Sequence, residues 1–247
     1  MTAPVAVVTG GTRGIGLALS ARLVKLGYRV VACFRSDAAA ADAAAAELGP
    51  QFVTVPLDVA DAAAVAAVGA RLVRQYGAPR VLVNNAGVNV DRPFLSMTAE
   101  EWSRVVDVNL SGAFHVTRAF APSMVDAAGG GVIVNVGATT GIRPRRNGVN
   151  YCASKAGLLH LTKCLALELA PRVRVNALIP GMTETDELVA RFGLDDWRRR
   201  EAVLAEIPAA RLGTTEDIAD GLEYLVGAGG SYLTGQKLVI DGGQFMW

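Results

Sequence analysis

Three observations predict a single-domain α/β fold built on an open, doubly wound parallel sheet with helices on both faces. Short runs rich in Val, Ile and Leu alternate with longer stretches of helical periodicity along all 247 residues. Most of the short runs are continuously apolar, as strands are when both faces of a parallel sheet are covered. The first run passes directly into a glycine-rich turn that opens the first helix.

The elements follow in order. The first strand is Val5–Thr9, and the turn TGGTRGIG occupies residues 9–16. A helix over 14–26 leads to a strand at Arg29–Phe34. A helix over 37–48 comes next, with Asp37 at its start as an N-cap. The strand Phe52–Pro56, a helix over 61–76 and the strand Val81–Asn84 complete the first half. The second half opens with one long helical pattern over 98–126. It continues with a strand at 132–136, a helix over 151–169, a strand at 174–178, a helix at Thr215–Val226 and the strand Lys237–Ile240. No linker or fixed-period repeat interrupts the series, so 1–247 reads as one domain. The one long excursion is 180–213, with about 183–212 expected as a short lid between the sixth strand and the last helix. Ligands bind beyond the carboxyl ends of such strands, where this excursion lies. Its other reading is a segment that only packs an edge.

Composition narrows the function classes. Hydrophobic residues make up 51% of the chain, which argues against disorder. With 24 basic and 23 acidic residues the net charge is +1, so no nucleic-acid or membrane surface is expected. Two histidines and the scattered Cys33, Cys152 and Cys164 have neither metal-ligand nor disulfide spacing. No metal is expected, and the low cysteine count suggests a reducing, cytoplasmic setting. The opening MTAPVAVVTG lacks a basic segment and is too short in apolar residues for a secretory signal, and no run is long enough to span a membrane.

The strand–turn–helix context makes the turn a dinucleotide site. Gly10, Gly14 and Gly16 allow a tight turn, close phosphate approach and helix-on-sheet packing. The N–H groups of the following helix face a pyrophosphate. An NAD site places an acid at the end of the second strand, but Phe34 stands there, followed by Arg35, and Arg13 sits in the turn. Two guanidinium groups suit a 2′-phosphate, so NADPH is the expected cofactor. Asp37 lies near the distance an NAD acid would occupy, and its other reading is the helix cap.

This turn, Asn84-Asn85-Ala86-Gly87 after the fourth strand and Tyr151-Cys152-Ala153-Ser154-Lys155 together resemble the short-chain dehydrogenase/reductase family, a Rossmann-like fold, over the whole chain. PGMTETD at 180–186 and the ending GGQFMW resemble in particular the 3-oxoacyl-carrier-protein reductases and polyketide ketoreductases. The resemblance implies cofactor contacts from Gly10, Thr12, Arg13, Gly14, Ile15 and Gly16, with Arg35 nearby. It implies Asp58 at the adenine, Asn85, Ala86 and Gly87 along the cofactor, Thr185 at the nicotinamide carboxamide or pyrophosphate, and further cofactor contacts from Val59, Pro180, Gly181 and Thr183. Tyr151 is then the general acid for reduction, Lys155 holds the ribose hydroxyls, and Asn109 helps hold a proton-relay water. It also implies a homotetramer.

Elementary chemistry supports the Tyr151–Lys155 pair. Residues four apart share a helix face, about 6 Å apart along the axis. An ammonium there favours tyrosinate and is expected to lower the tyrosine pKa. One expected part is missing. The family places a serine thirteen residues before the tyrosine, and Ala138 stands there, with Gly141 fitting the glycine that follows. Either Thr139 or Thr140 supplies the hydroxyl, or water fills the gap, or the protein binds NADPH without turnover. Arg143, Arg145 and Arg146, with Arg172, are candidates for receiving an acidic carrier protein, or are simply solvated charges.

The leading expectation is NADPH-dependent reduction of a β-ketoacyl thioester, carried on an acyl carrier protein. The alternatives are an NADP-dependent sugar, polyol or cyclic-ketone dehydrogenase and a non-catalytic NADPH-binding protein.

Overall fold

The apolar runs do form strands. A computed structural model describes residues 3–246. Its strands are β1 Val5–Thr9, β2 Arg29–Phe34, β3 Phe52–Pro56, β4 Val81–Asn84, β5 Gly131–Val136, β6 Val173–Pro180 and β7 Lys237–Ile240. All neighbours are parallel, in the order β3-β2-β1-β4-β5-β6-β7. Side chains alternate between faces, so the strands of the sheet feed two cores. Ala6, Val8, Val30, Ala32 and Val83 belong to one, and Val5, Val7, Val31, Cys33 and Leu82 to the other.

Nine α-helices cover these faces among the described residues: α1 Gly14–Lys25, α2 Ala38–Leu48, α3 Ala62–Tyr76, α4 Ala99–Val106, α5 Gly112–Asp126, α6 Val149–Leu169, α7 Asp186–Phe192, α8 Trp197–Ala205 and α9 Thr215–Val226. The first core takes Leu19 and Leu23 of α1 and Ile218 and Leu222 of α9, all fully buried. Each such side chain contributes roughly 1.5–3 kcal/mol by leaving water. The second takes Val65 and Leu72 of α3, and Val116, Phe120 and Met124 of α5. At the surface Arg22 of α1 reaches Glu216, Asp220 and Glu223 of α9, tying the two helices of the first layer together.

The structure corrects the expected helix over 98–126. It starts as foreseen, with Thr98 and Glu101 closing a capping box at 3.2 Å in both directions. It then widens into a π-helical turn at Asp107–Ser111 before α5 resumes. An added Cβ on Gly112 would lie 2.7 Å from Val59 Cγ2, so a side chain there would force the loop after β3 or the helix to shift. The expected 151–169 helix begins two residues earlier, at Val149. The excursion after β6 is not irregular: α7 and α8 lie in it, packed around a separate small core of Leu194, Ile207 and Leu212.

The strand order reverses between β1 and β4. The connections from these two strands leave in opposite directions, which opens a crevice at their carboxyl ends.

Candidate active site

The crevice is a cleft of about 660 Å³, within the range of small-molecule sites. Its floor is the glycine turn. Gly10 and Gly14 have φ of +62° and +52°, which side chains with a Cβ rarely adopt. The turn is fastened to the loop after β4: Thr9 Oγ1 accepts the backbone N–H groups of Asn85 and Ala86, both at 3.0 Å. Asn85 Nδ2 returns donors to the carbonyls of Thr9 and Gly10, also at 3.0 Å. Asn85 therefore shapes the floor with its side chain.

At the β2–β3 end the cleft is lined by Arg35, Asp37 and Asp58, with Arg13 reaching in from the turn. Asp37 is an N-cap, accepting Ala40 N–H at 3.0 Å. Asp58 accepts the N–H of Ala60 at 3.0 Å, and Val59 lies buried below it. Thr12, Ile15, Ala86 and Gly87 line the middle. Cys33 also faces the cleft, and burial pushes its thiol up to about 12, leaving it an unreactive neutral group.

At the β5–β6 end stand Tyr151, Lys155 and Ala138, with Pro180, Gly181 and Thr185 opposite. Thr185 caps α7 by accepting Leu188 N–H at 3.2 Å. Thr183 lies outside the lining, buried and paired with Gly213. The chain turns into a 3-10 helix at Thr139–Gly141, directly after Ala138. Ala138, at the position of the missing hydroxyl, lines the cleft, whereas Thr139 and Thr140, the two residues weighed as substitutes, do not. Thr139 is buried, and Thr140 Oγ1 is sealed away without a partner.

Asn109 also differs from expectation. The π-helical turn carries it, and its side chain is 1% exposed. Its Oδ1 accepts Val88 N–H at 2.8 Å, while Nδ2 donates to Val88 O at 2.9 Å and to Ser154 Oγ at 3.1 Å. It does not line the cleft; it pins the loop after β4 to α6, which carries Tyr151.

Lys155 is buried, its Nζ donating to the Val136 carbonyl at 2.8 Å and lying 5.7 Å from the Tyr151 ring centre. Desolvation pushes its pKa down to about 8. The expected lowering of the tyrosine pKa does not appear in the protein's own field. Burial holds the phenol above its usual value, against a downward pull from Arg191 and Arg145. A phenol so held stays protonated through neutral pH, the state a proton donor requires.

The arginine set is divided. Arg145 is turned inward over the Tyr151 ring at 5.7 Å and donates to Asn89 and Asp91. Arg143 stacks on Phe245 at 5.5 Å, and Arg146 is exposed. Arg172 precedes β6 and donates to the carbonyls of Val125 and Ala127. In a parallel sheet that is the amino end, opposite to the cleft, so within one chain Arg172 does not share a surface with the other three. The sequence reading missed Asp91, Glu187 and Arg191. Their signal was weak: a short polar stretch after NNAG and a helix start hidden inside the excursion. Among the described residues no cluster of His, Cys, Asp or Glu could hold a metal, and no helix is long and apolar enough to cross a membrane.

Comparison with known proteins gives one direction. Residues 4–192 match the family described as short chain dehydrogenase. The chain is 35% identical over 243 residues to the 3-oxoacyl-(acyl-carrier-protein) reductase FabG of Escherichia coli (strain K12), covering 98% of this chain and 97% of that protein. It is 36% identical over 245 residues to the protein of the same name from Staphylococcus aureus (strain Mu50 / ATCC 700699), covering 98% of each. A crystal structure of a short-chain dehydrogenase/reductase, glucose/ribitol dehydrogenase, from Brucella melitensis superposes with a TM-score of 0.91 at 28% identity, covering 99% of this chain and 97% of that one.

Proposed function

This chain belongs to the short-chain dehydrogenase family of oxidoreductases, and from that premise we propose that it reduces a β-ketoacyl thioester to the β-hydroxyacyl product with NADPH. The observation that carries the proposal is the composition of one cleft. A phenol and a buried lysine lie at one end, two arginines lie at the other, and a glycine turn runs between them. The names of the two bacterial relatives support the thioester as substrate.

The residues present fit the cofactor. The turn and the start of α1 offer backbone N–H groups for a pyrophosphate. Arg13 and Arg35 are exposed at the cleft end where a 2′-phosphate would sit, while Asp37 is engaged as a cap. Asp58 and Val59 would bound the adenine, Asn85–Gly87, Pro180, Gly181 and Thr185 the remainder, and Lys155 the ribose hydroxyls. Bound NADPH supplies a hydride to the ketone carbon. Tyr151 then gives its proton to the oxygen that becomes the alcohol, and Asn109 keeps the helix bearing Tyr151 in register with the cleft wall.

A carrier protein would meet the exposed Arg143 and Arg146 at the mouth. Exposed Phe114 on α5 and Leu167 on α6 are apolar surface of the kind that a homotetramer covers.

The test is turnover. The purified chain should oxidise NADPH with carrier-bound acetoacetyl thioester and release the β-hydroxyacyl product. A strong preference for free polyols with NADP would overturn the substrate assignment. Arg35→Ala should raise the KM for NADPH about tenfold, consistent with loss of a charge-assisted contact, and leave that for NADH nearly unchanged. An unchanged preference would remove the 2′-phosphate assignment.

A pH dependence follows from Lys155. Its pKa of about 8 lies below the ordinary lysine value, so the ammonium is present below pH 8 and is lost as pH rises through it. The kcat/KM for NADPH-dependent reduction should fall above about pH 8. In Lys155→Arg, whose cation does not titrate there, that alkaline limb should be absent wherever activity is retained.

A further inference from the structure

Three loops from different strands meet in one ion pair at the cleft mouth. Asp91 lies on the loop after β4, Arg145 on the loop after β5, and Arg191 on α7 of the excursion after β6. Asp91 Oδ1 accepts Arg145 Nη2, and its Oδ2 accepts Arg191 Nη2 at 2.7 Å and Nε at 3.2 Å. The three side chains are only 25%, 27% and 34% exposed for Arg145, Arg191 and Asp91, so they are sheltered from the screening that weakens most surface pairs. One carboxylate is shared by two guanidinium groups, which leaves an excess positive charge. That charge lies close to one group: Arg145 is over the Tyr151 ring, on which Lys155 also looks, each at 5.7 Å.

We propose that Arg145 and Arg191, bridged by Asp91, are positioning residues for Tyr151 that stabilise the negative charge left on its oxygen when the proton departs. The inference rests on the ketoreductase reading above and deepens it. In the step concerned the phenol O–H bond breaks, the proton joins the substrate oxygen that hydride addition has made an alkoxide, and the electron pair stays on the phenolate. A cation held against the tyrosine ring, as Arg145 is at 5.7 Å from the ring centre, stabilises that phenolate far better in a sheltered cleft than in bulk water. The bridge carries a second consequence. Arg191 arrives with α7, so the full positive field exists only when this helix is docked against the loops after β4 and β5.

The other groups around the phenol set the sign. Lys155 and Cys152 face it from its own helix, Arg145 and Asp91 from the two loops, and Arg191 and Glu187 from α7, with Asp186 in the same cleft wall. Glu187 and Cys152 oppose ionisation, whereas the two arginines favour it. The arginine pairs hold Asp91 below the usual carboxylate range despite its burial, so the bridge persists across the working pH.

The experiment compares Arg145→Met and Arg191→Met with Arg145→Lys and Arg191→Lys. Each methionine variant should lower kcat for thioester reduction about tenfold, raise the solvent isotope effect on kcat and leave the KM for NADPH within about twofold. The lysine variants should recover most of the rate, because they keep the charge. Without substrate, the tyrosinate difference absorbance against Tyr151→Phe should begin about one pH unit higher in the methionine variants. Methionine variants with unchanged kcat and unchanged tyrosinate onset would overturn the inference, as would lysine variants that lose as much rate as the methionine ones. If the wild type reduces no β-ketoacyl thioester, the proposed function falls, and the tyrosinate onset still decides the arginines' role.

Discussion

Tyr151→Phe should lower the rate of carbonyl reduction by about 10²–10⁴, the usual contribution of a positioned proton donor. The affinity for NADPH should change by less than about threefold. The separation of the two effects follows from the site. The phenylalanine ring keeps the volume and the face under Arg145 and Lys155 and loses only the hydroxyl. Lys155 keeps its anchor on the Val136 carbonyl, which lies on β5 and not on the tyrosine. Stopped-flow hydride transfer and a fluorescence titration of NADPH would measure the two quantities separately. A variant retaining more than a tenth of the wild-type rate would show that some other group delivers the proton. Water at the site beside Ala138 would then be the first place to look, since that position offers no hydroxyl of its own.

The second large effect is expected at Gly16. An added Cβ there would lie 1.9 Å from Gly10 O and 2.5 Å from Asn85 Nδ2. Neither can yield cheaply. Gly10 is fixed in a left-handed conformation, and Asn85 is hydrogen-bonded to both Thr9 and Gly10. Gly16→Ala must push α1 away from the turn or open the turn itself. A destabilisation of about 2–4 kcal/mol is expected, at the upper end of overpacking effects. For a chain of this size that corresponds to a fall in Tm of roughly 5–15 °C. NADPH binding should be lost at the same time, because the N–H groups that would face the pyrophosphate sit on the segment that moves. An alanine variant with wild-type Tm and NADPH affinity would show that the turn is not held as described.

Much of this molecule can be read from its sequence because its signals are local. The strands β1, β2, β3, β4 and β7 fall at the bounds that their apolar runs suggest, and the cap at Asp37 acts within three residues of itself. The family resemblance, drawn from the turn, NNAG and the Tyr151–Lys155 spacing, agrees with the family match and with the relatives. The misses have one cause in common: each depended on what a distant segment places alongside. A helical pattern over 98–126 contains no proline or glycine pair at 107–111, so nothing local announces the π-helical turn that brings Asn109 to Val88 and Ser154. The helices of the excursion are short, and the core under them is assembled from residues as far apart as Met182 and Leu212.

The sequence by itself determined the sheet, the phosphate turn and the pairing of a tyrosine with a lysine one helical turn on, because periodicity and short-range sterics set these. Only the tertiary structure decided how the site is charged. Burial raises the Tyr151 phenol and lowers Lys155, which reverses the simple expectation from spacing. Packing leaves Ala138 lining the cleft, with Thr139 and Thr140 outside the lining and the Thr140 hydroxyl sealed in. It sends Arg172 to the far end of the sheet and brings Arg145 and Arg191, 46 positions apart, onto one carboxylate. Desolvation and Coulomb energy depend on distances between segments that no local pattern encodes.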